Sequence, residues 1–352
     1  MKALTTRKFI LAVALAVAVP AFGSLTYTCD ATIDNASTGN AGTCAFLNGT
    51  IAGLYNSTFN NVNANIYIKM GVTGLGQSQT ALNGLSYSAF RADLTADSSG
   101  NAVDTAAIAS LPASEPAIWG GDSVAFTSAI GSAFGIASSS LFGVTSTGAG
   151  CTLSSAGCYN SLITITTQAN LSSETGGTQF LYWRQNGGSI PFNAYDFYAV
   201  VQHETDEVLG TSSCVGTSGS SLADLCGPFV SAVDLFRYRA GARVFIDATT
   251  GAYFSFDGGL TNGAGGAIYN TLANGADYAD YTNSCQFVQD AAGCLGALFN
   301  FTTDGGGETN ILDAVGFNLA VAPVPEPATM GLIGVSLIGL AIAGARHRRV
   351  KK

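Results

Sequence analysis

The chain has 352 residues, 8 cysteines, 2 histidines and a formal net charge of −9. Between its two ends, residues 24–322 carry 6 basic against 22 acidic residues, a net charge of −16. Such a surface repels nucleic acid and anionic lipid and favours solubility and cation binding, and the length allows one large domain or two small ones.

In chain order, Lys2, Arg7 and Lys8 accompany an unbroken apolar run over residues 9–19, and Ala21-Phe22-Gly23 supplies the small residues of a cleavage site. The pattern predicts a signal peptide over residues 1–23, because the run falls short of the roughly 20 residues that span a bilayer. Residues 45–55 read as a short helix. Residues 65–70 alternate, with Ile66, Ile68 and Met70 on one face, and read as a half-buried strand; 162–167 repeat the pattern through Ile163 and Ile165. Residues 103–111 and 123–134 are helix candidates. The strongest helix is 193–209, with Asn193 placed to cap it, Asp196 complementing the positive end of its dipole and Gly210 following it. Residues 243–247 and 252–256 read as a hairpin, and 310–317 as a short terminal helix buried through Ile311, Leu312 and Val315. No long polar linker interrupts residues 24–322, which therefore read as one domain.

The cysteines fall in four close pairs: Cys29 with Cys44, Cys151 with Cys158, Cys214 with Cys226, and Cys285 with Cys294. An even count in an exported chain predicts disulfides, and the clustering favours nearest-neighbour pairing. No CxxC spacing occurs, so a thiolate metal site is not expected.

At the far end, Pro325-Glu326-Pro327 precedes the uncharged run 328–344, and Arg346, Arg348, Arg349, Lys351 and Lys352 follow. An apolar run near spanning length with a basic flank predicts a transmembrane helix whose basic end stays cytoplasmic. This three-part order over residues 323–352 resembles the PEP-CTERM signal of exosortase substrates. The resemblance implies transient anchoring in the inner membrane, processing there by an exosortase-type enzyme, and release of the body to the cell surface or beyond.

The body contains one histidine, His203; His347 lies in the tail. On a helix, His203, Glu207 and Asp196 fall within about 40° of one another, while Phe197, Val201 and Val208 form a separate core stripe. Ligands one turn apart can grip a single metal, and the adjacent Glu204 can take a proton from an attacking water. The run His203-Glu204-Thr205-Asp206-Glu207 departs from the zincin pattern by a Glu in place of the second His. Gly210 is kept, Ser213 stands where a third His would be, and no Met lies between Met70 and Met330. A third ligand would come from a downstream acid such as Asp224, Asp234 or Asp257. The plain alternative is a solvated acidic stripe in which His203 merely packs.

Three further segments, Asp234-Leu235-Phe236-Arg237-Tyr238-Arg239, Tyr253-Phe254-Ser255-Phe256-Asp257-Gly258-Gly259 and Leu312-Asp313-Ala314-Val315-Gly316-Phe317, resemble a family of metalloproteases that carry PEP-CTERM tails. That resemblance implies an α+β, zincin-like fold: a twisted mixed sheet, a backing helix and an active-site helix along a cleft. It implies zinc or another divalent cation on His203 and Glu207, with Glu204 as general base. The expected substrate is an extracellular or biofilm protein. The rival is a non-catalytic protein that binds a surface or a protein or polysaccharide matrix.

Weaker signals complete the survey. No Gly-x-Ser-x-Gly elbow occurs in the body, and the glycine runs 263–266 and 305–307 lack the Lys-Ser/Thr of a phosphate cradle, so they read as turns. Asp277 and Asp280, beside Tyr278 and Tyr281, read as a polar loop or a patch facing calcium or carbohydrate.

Overall fold

Alternating side chains organise the central sheet, as their spacing predicts. The computed structural model describes residues 24–35, 40–114, 123–215, 226, 229–245, 250–271, 277–282 and 284–320. The expected signal peptide, the expected sorting tail with Pro325, Glu326 and Pro327, and Asp224 lie outside the described residues.

Strand β1 (Leu25–Cys29) leads to a helical stretch: α1 (Thr43–Phe46), a π turn over Leu47–Ile51, and α2 (Ala52–Thr58). Then come β2 (Ala64–Gly71), β3 (Gly76–Thr80), β4 (Leu82–Ser86), α3 (Tyr87–Asp97) and α4 (Ala102–Ser110). The expected helix over 123–134 is instead strand β5 (Ser123–Thr127) followed by α5 (Ser128–Ala133). Val124, Ala125 and Phe126 are all buried in the middle of a sheet, so no alternation betrays the strand, and Thr127 caps the helix by accepting from the Ile130 amide. Short strands β6 (Phe142–Thr145), β7 (Gly150–Thr152) and β8 (Cys158–Tyr159) precede β9 (Ser161–Thr166), α6 (Gln168–Thr175), β10 (Phe180–Tyr182) and β11 (Ala194–Asp196). Helix α7 (Phe197–Asp206) runs into a π turn over Glu207–Thr211. Beyond it lie β12 (Val230–Ser231), β13 (Arg237–Arg239), β14 (Ala242–Arg243), β15 (Tyr253–Phe254) and α8 (Glu308–Val315).

The main sheet has the order β1-β2-β9-β3. β1, β2 and β9 are mutually parallel; β3 alone is antiparallel, pairing Gln79 with Leu162 and Gln77 with Thr164. Ile66, Ile68, Ile163 and Ile165 are fully buried. On β2 the opposite face carries Tyr67, whose ring meets Tyr159 of β8. Helix α7 packs against β3 and β9. Its Phe197 and Val201, with Val208 of the π turn, have no exposure, each burial contributing roughly 1.5–3 kcal/mol. Tyr27 of β1 and Tyr55 of α2 tie the helix down from the side, through Thr205 Oγ1 at 2.7 Å and Asp206 Oδ1 at 2.7 Å.

Two expectations shift here. The long helix begins at Phe197, not Asn193, because residues 194–196 pair with β10; Asp196 is the cap, accepting from the amides of Tyr198 and Ala199. Gly210 lies within the terminal π turn at φ 130°, a conformation only glycine takes without strain. Of the expected hairpin, residues 246–249 lie outside the described residues, and among the described ones β14 and β15 both pair with β13, which stands between them, rather than with each other.

The four predicted cysteine pairs are bonded: Cys29 to Cys44, Cys151 to Cys158, Cys214 to Cys226, and Cys285 to Cys294, at sequence separations of 15, 7, 12 and 9. Each bond closes a short loop. Cys44 in α1 is tied to Cys29 at the end of β1, so the helical stretch is fixed to the edge of the main sheet. Cys226 is buried and is tied to Cys214, just beyond the π turn that ends α7. The architecture is thus a mixed α/β domain with several sheets, stapled by disulfides.

Candidate metal centre

Helix α7 carries its site residues to a cleft of about 730 Å³. One wall is β3, from Gly76 to Gln79; the other is the segment from Asp277 to Cys294, including Phe287 and Val288. Of the eight cysteines only Cys294 lines the cleft; Cys44 and Cys226, like the remaining five, do not, and they serve the fold rather than the site. The helix is anchored at its start by Asp196, which Arg184 grips through its guanidinium. Burial pushes the Asp196 carboxyl up, against the opposing pull of Arg184.

His203 and Glu207, one turn apart, meet Asp280 from across the cleft. His203 Nε2 stands 3.7 Å from Glu207 Oε1 and 3.6 Å from Asp280 Oδ1, and one ligand atom from each residue lies within 4.8 Å of the others. Donors 2.0–2.2 Å from a tetrahedral ion are separated by about 3.4 Å, so the spacing needs little adjustment to hold one. The second imidazole nitrogen is committed. His203 Nδ1 lies 3.0 Å from the carbonyl oxygen of Val288, which can only accept, so Nδ1 carries a proton and Nε2 is the ring nitrogen turned to the cleft. A ligating histidine is oriented in this way. Glu207 is steadied by Ser78, whose hydroxyl donates to Oε2 at 2.6 Å, and Asp280 by Gln289, whose Nε2 donates to Oδ1 at 2.9 Å. The side chains of His203 and Glu207 keep 17% and 13% exposure, enough to open the site to solvent.

Glu204 sits beside this trio, buried, with the Glu207 carboxyl and the Ser78 amide within hydrogen-bonding reach. Its carboxyl rests against Gly76, where any larger residue would collide with it. Burial, then the charges of Glu207 and Asp280, push Glu204 well above the usual carboxylate range. Asp280 and Asp277 are pushed up chiefly by the same burial.

The structure therefore brings together His203, Glu204 and Glu207, and adds Asp280 to the group that could hold a metal ion. It does not bring Asp234 or Asp257 to them. Asp234 is buried in a network of its own, accepting from Ser213, Cys214, Ser231 and Arg237. Asp257 closes a turn, accepting from the Ser255 hydroxyl and from the Thr261 amide and hydroxyl. Ser213 also belongs to the Asp234 network. Asp280 was visible in the sequence only as half of an acidic pair in an aromatic loop.

Among known proteins, residues 323–349 match the model of the PEP-CTERM protein-sorting motif. The match implies export through the membrane with processing by an exosortase, and the four disulfides are consistent with an extracellular location. No curated protein and no solved structure matches the chain. Among the described residues, no helix is long and apolar enough to cross a membrane.

Proposed function

We propose that the body is a zincin-like, metal-dependent hydrolase that acts on extracellular or biofilm proteins. His203, Glu207 and Asp280 hold one divalent cation, and Glu204 is the general base. The observation that carries this reading is the convergence of one imidazole nitrogen and two carboxylates in an open cleft, with an imidazole proton fixed on the far nitrogen. One nitrogen and two oxygens form a harder donor set than three imidazoles, so zinc and manganese are both candidates.

A cation held by these three residues would supply Lewis-acid polarisation of a carbonyl oxygen. The protein's own groups do the rest. Glu204 accepts a proton from the attacking water and returns it to the leaving amine. Strand β3 is the edge of the main sheet and borders the cleft, so its outward N–H and C=O groups can pair with an extended peptide. The antiparallel β3, the helix behind it and the cleft between them support the zincin-like assignment.

The test is metal analysis and casein cleavage with the purified chain. Wild type should carry one metal per chain; Glu204→Gln should keep the metal and lose roughly 10²–10⁴-fold in rate. A folded, metal-free wild type, or Glu204→Gln with full activity, overturns the enzyme reading. The remaining candidate would then be a matrix-binding protein without chemistry.

A further inference from the structure

We infer that Asp304 and Glu308 are positioning residues of the metal centre, acting through the backbone of Val288 and Gln289. The inference rests on the reading of the centre given above. Two of the bonds that orient the cation's donors come from these two consecutive residues: the Val288 carbonyl receives His203 Nδ1, and the Gln289 side chain donates to Asp280 Oδ1, whose other oxygen accepts from the Asp277 amide. Their amides are in turn held by two acids from a distant segment. Val288 N donates to Asp304 Oδ2 at 2.8 Å, and Gln289 N donates to Glu308 Oε1 at 3.3 Å. A displacement of residues 288–289 would therefore turn the His203 ring and move Asp280 together.

The segment that carries the two acids is built to bring them this close. Asp304 also accepts from Gly306 N at 2.9 Å through Oδ1, so both of its oxygens are occupied by backbone donors. Gly306 has no room for a side chain, since a Cβ there would lie 2.6 Å from both Glu308 oxygens. Its carbonyl accepts from Tyr281 Oη at 2.6 Å, one residue beyond Asp280. Residues 305 and 307 take positive φ, and the run packs on the backbone of Gly263 and Gly265. The disulfide Cys285–Cys294 closes the loop that contains Val288 and Gln289. Asp304, Glu308 and Tyr281 each act through a hydrogen bond of defined direction.

Direction gives the discriminating test. Asn at 304 must present an NH₂ group to one of two backbone donors, so Asp304→Asn breaks the arrangement. Glu308 accepts from the Gln289 amide at Oε1, and its Oε2 has no hydrogen-bond partner. Glu308→Gln can keep the Oε1 bond and direct its NH₂ to Asp304, whereas Glu308→Ala cannot. With Zn²⁺ and Mn²⁺ as probes on the full chain, Asp304→Asn and Glu308→Ala should weaken binding about 10–100-fold, and Glu308→Gln less than about 3-fold. Equal losses in Glu308→Gln and Glu308→Ala would show that charge, not position, is at work and overturn the proposal.

A second readout does not need the metal. The chain has two imidazoles, and His347→Gln leaves His203 as the sole source of ¹⁵N-histidine signals. The metal-free ring should show its proton on Nδ1 in this background and in Glu308→Gln, and a mixture of tautomers in Glu308→Ala and Asp304→Asn. If the wild-type chain binds neither metal, the reading of the centre fails, and the tautomer comparison alone decides the positioning role. An unchanged Nδ1 signal in both Glu308→Ala and a folded Asp304→Asn sinks it.

Discussion

Asp234 and Asp280 are both almost fully buried, yet the protein treats them in opposite ways. Asp234 is surrounded by donors. Ser213, Ser231, the Cys214 amide and Arg237 Nε serve its two oxygens, and Arg237 is itself without exposure, held further by the Tyr278 carbonyl and stacked over the Tyr269 ring. Asp280 faces other acids. Burial raises it first, the charges of Glu207 and Asp290 add to that, and the Gln289 and Asp277 amide donors only partly oppose them; burial and the charges of Asp280 and Glu207 raise Asp277 in the same way. Ser213 joins the two regions, its hydroxyl bound to Asp234 and its amide to Asp277. A buried acid supplied with its own counter-ion is a structural fastener; one left among like charges awaits a cation or a proton, and that is where function is sought.

The sharpest way to break this contrast is to remove each acid and compare the costs. Asp234→Ala leaves Arg237 buried and uncompensated, so it should cost about 3–5 kcal/mol in urea unfolding, with metal bound per folded molecule unchanged. Loss of metal at full stability would show that Asp234 is not merely a fastener. Asp280→Asn should do the reverse. Without metal it relieves the repulsion from Glu207 but turns an NH₂ on either Gln289 or the Asp277 amide, so its stability cost should stay well below that of Asp234→Ala. It should also abolish any metal-dependent stabilisation, expected in wild type to reach about 2.7 kcal/mol at a hundredfold excess over the dissociation constant if the cation binds. Melting curves with and without chelator check both halves.

A third buried acid lies between these extremes. Asp313 in α8 receives Asn101 Nδ2 and the Leu319 amide at Oδ1, while Oδ2 has no donor. Burial, opposed by Asn101 and reinforced by the charge of Asp104, raises its pKa to about 7. The folded state therefore holds a proton that the unfolded chain gives up near pH 4. Stability from this group is complete below about pH 4 and is lost as pH rises through 7, a fall on the order of 2 kcal/mol after allowing for relaxation. Asp313→Asn should flatten that part of the stability–pH curve; an unchanged slope would show that another acid carries it.

How much of this could be read beforehand depends on whether the signal was local. The alternation in Ile66, Ile68, Ile163 and Ile165 announced two strands of the main sheet, and the cysteine clustering announced the staples. The stripe of His203 and Glu207 was legible because helical periodicity fixes which residues share a face. The third donor was not, since Asp280 lies 73 residues beyond Glu207 and reaches it only through tertiary packing. Strand β5 was hidden by being buried on both faces. The glycine run 305–307 read as a turn, and only the packed structure shows why Gly306 must lie bare beneath Glu308.

The smallest expected effect tests the same distinction from its other side. Asp257 was a candidate ligand by sequence, but its carboxylate is spent on Ser255 and Thr261. Partial burial pulls this carboxyl up, yet the Thr261 and Ser255 donors outweigh it, and the group sits below its ordinary range. The ionised form is thus the one the turn needs, and its stabilisation is present above about pH 4 and fades as pH falls through the lowered value. Asp257→Ala should cost about 1 kcal/mol, the net worth of such bonds, and leave metal affinity untouched. Isothermal titration beside urea unfolding separates the two. A variant that folds normally but binds metal more weakly would place Asp257 in the centre after all and would require the cleft wall carrying Asp280 to rearrange around it.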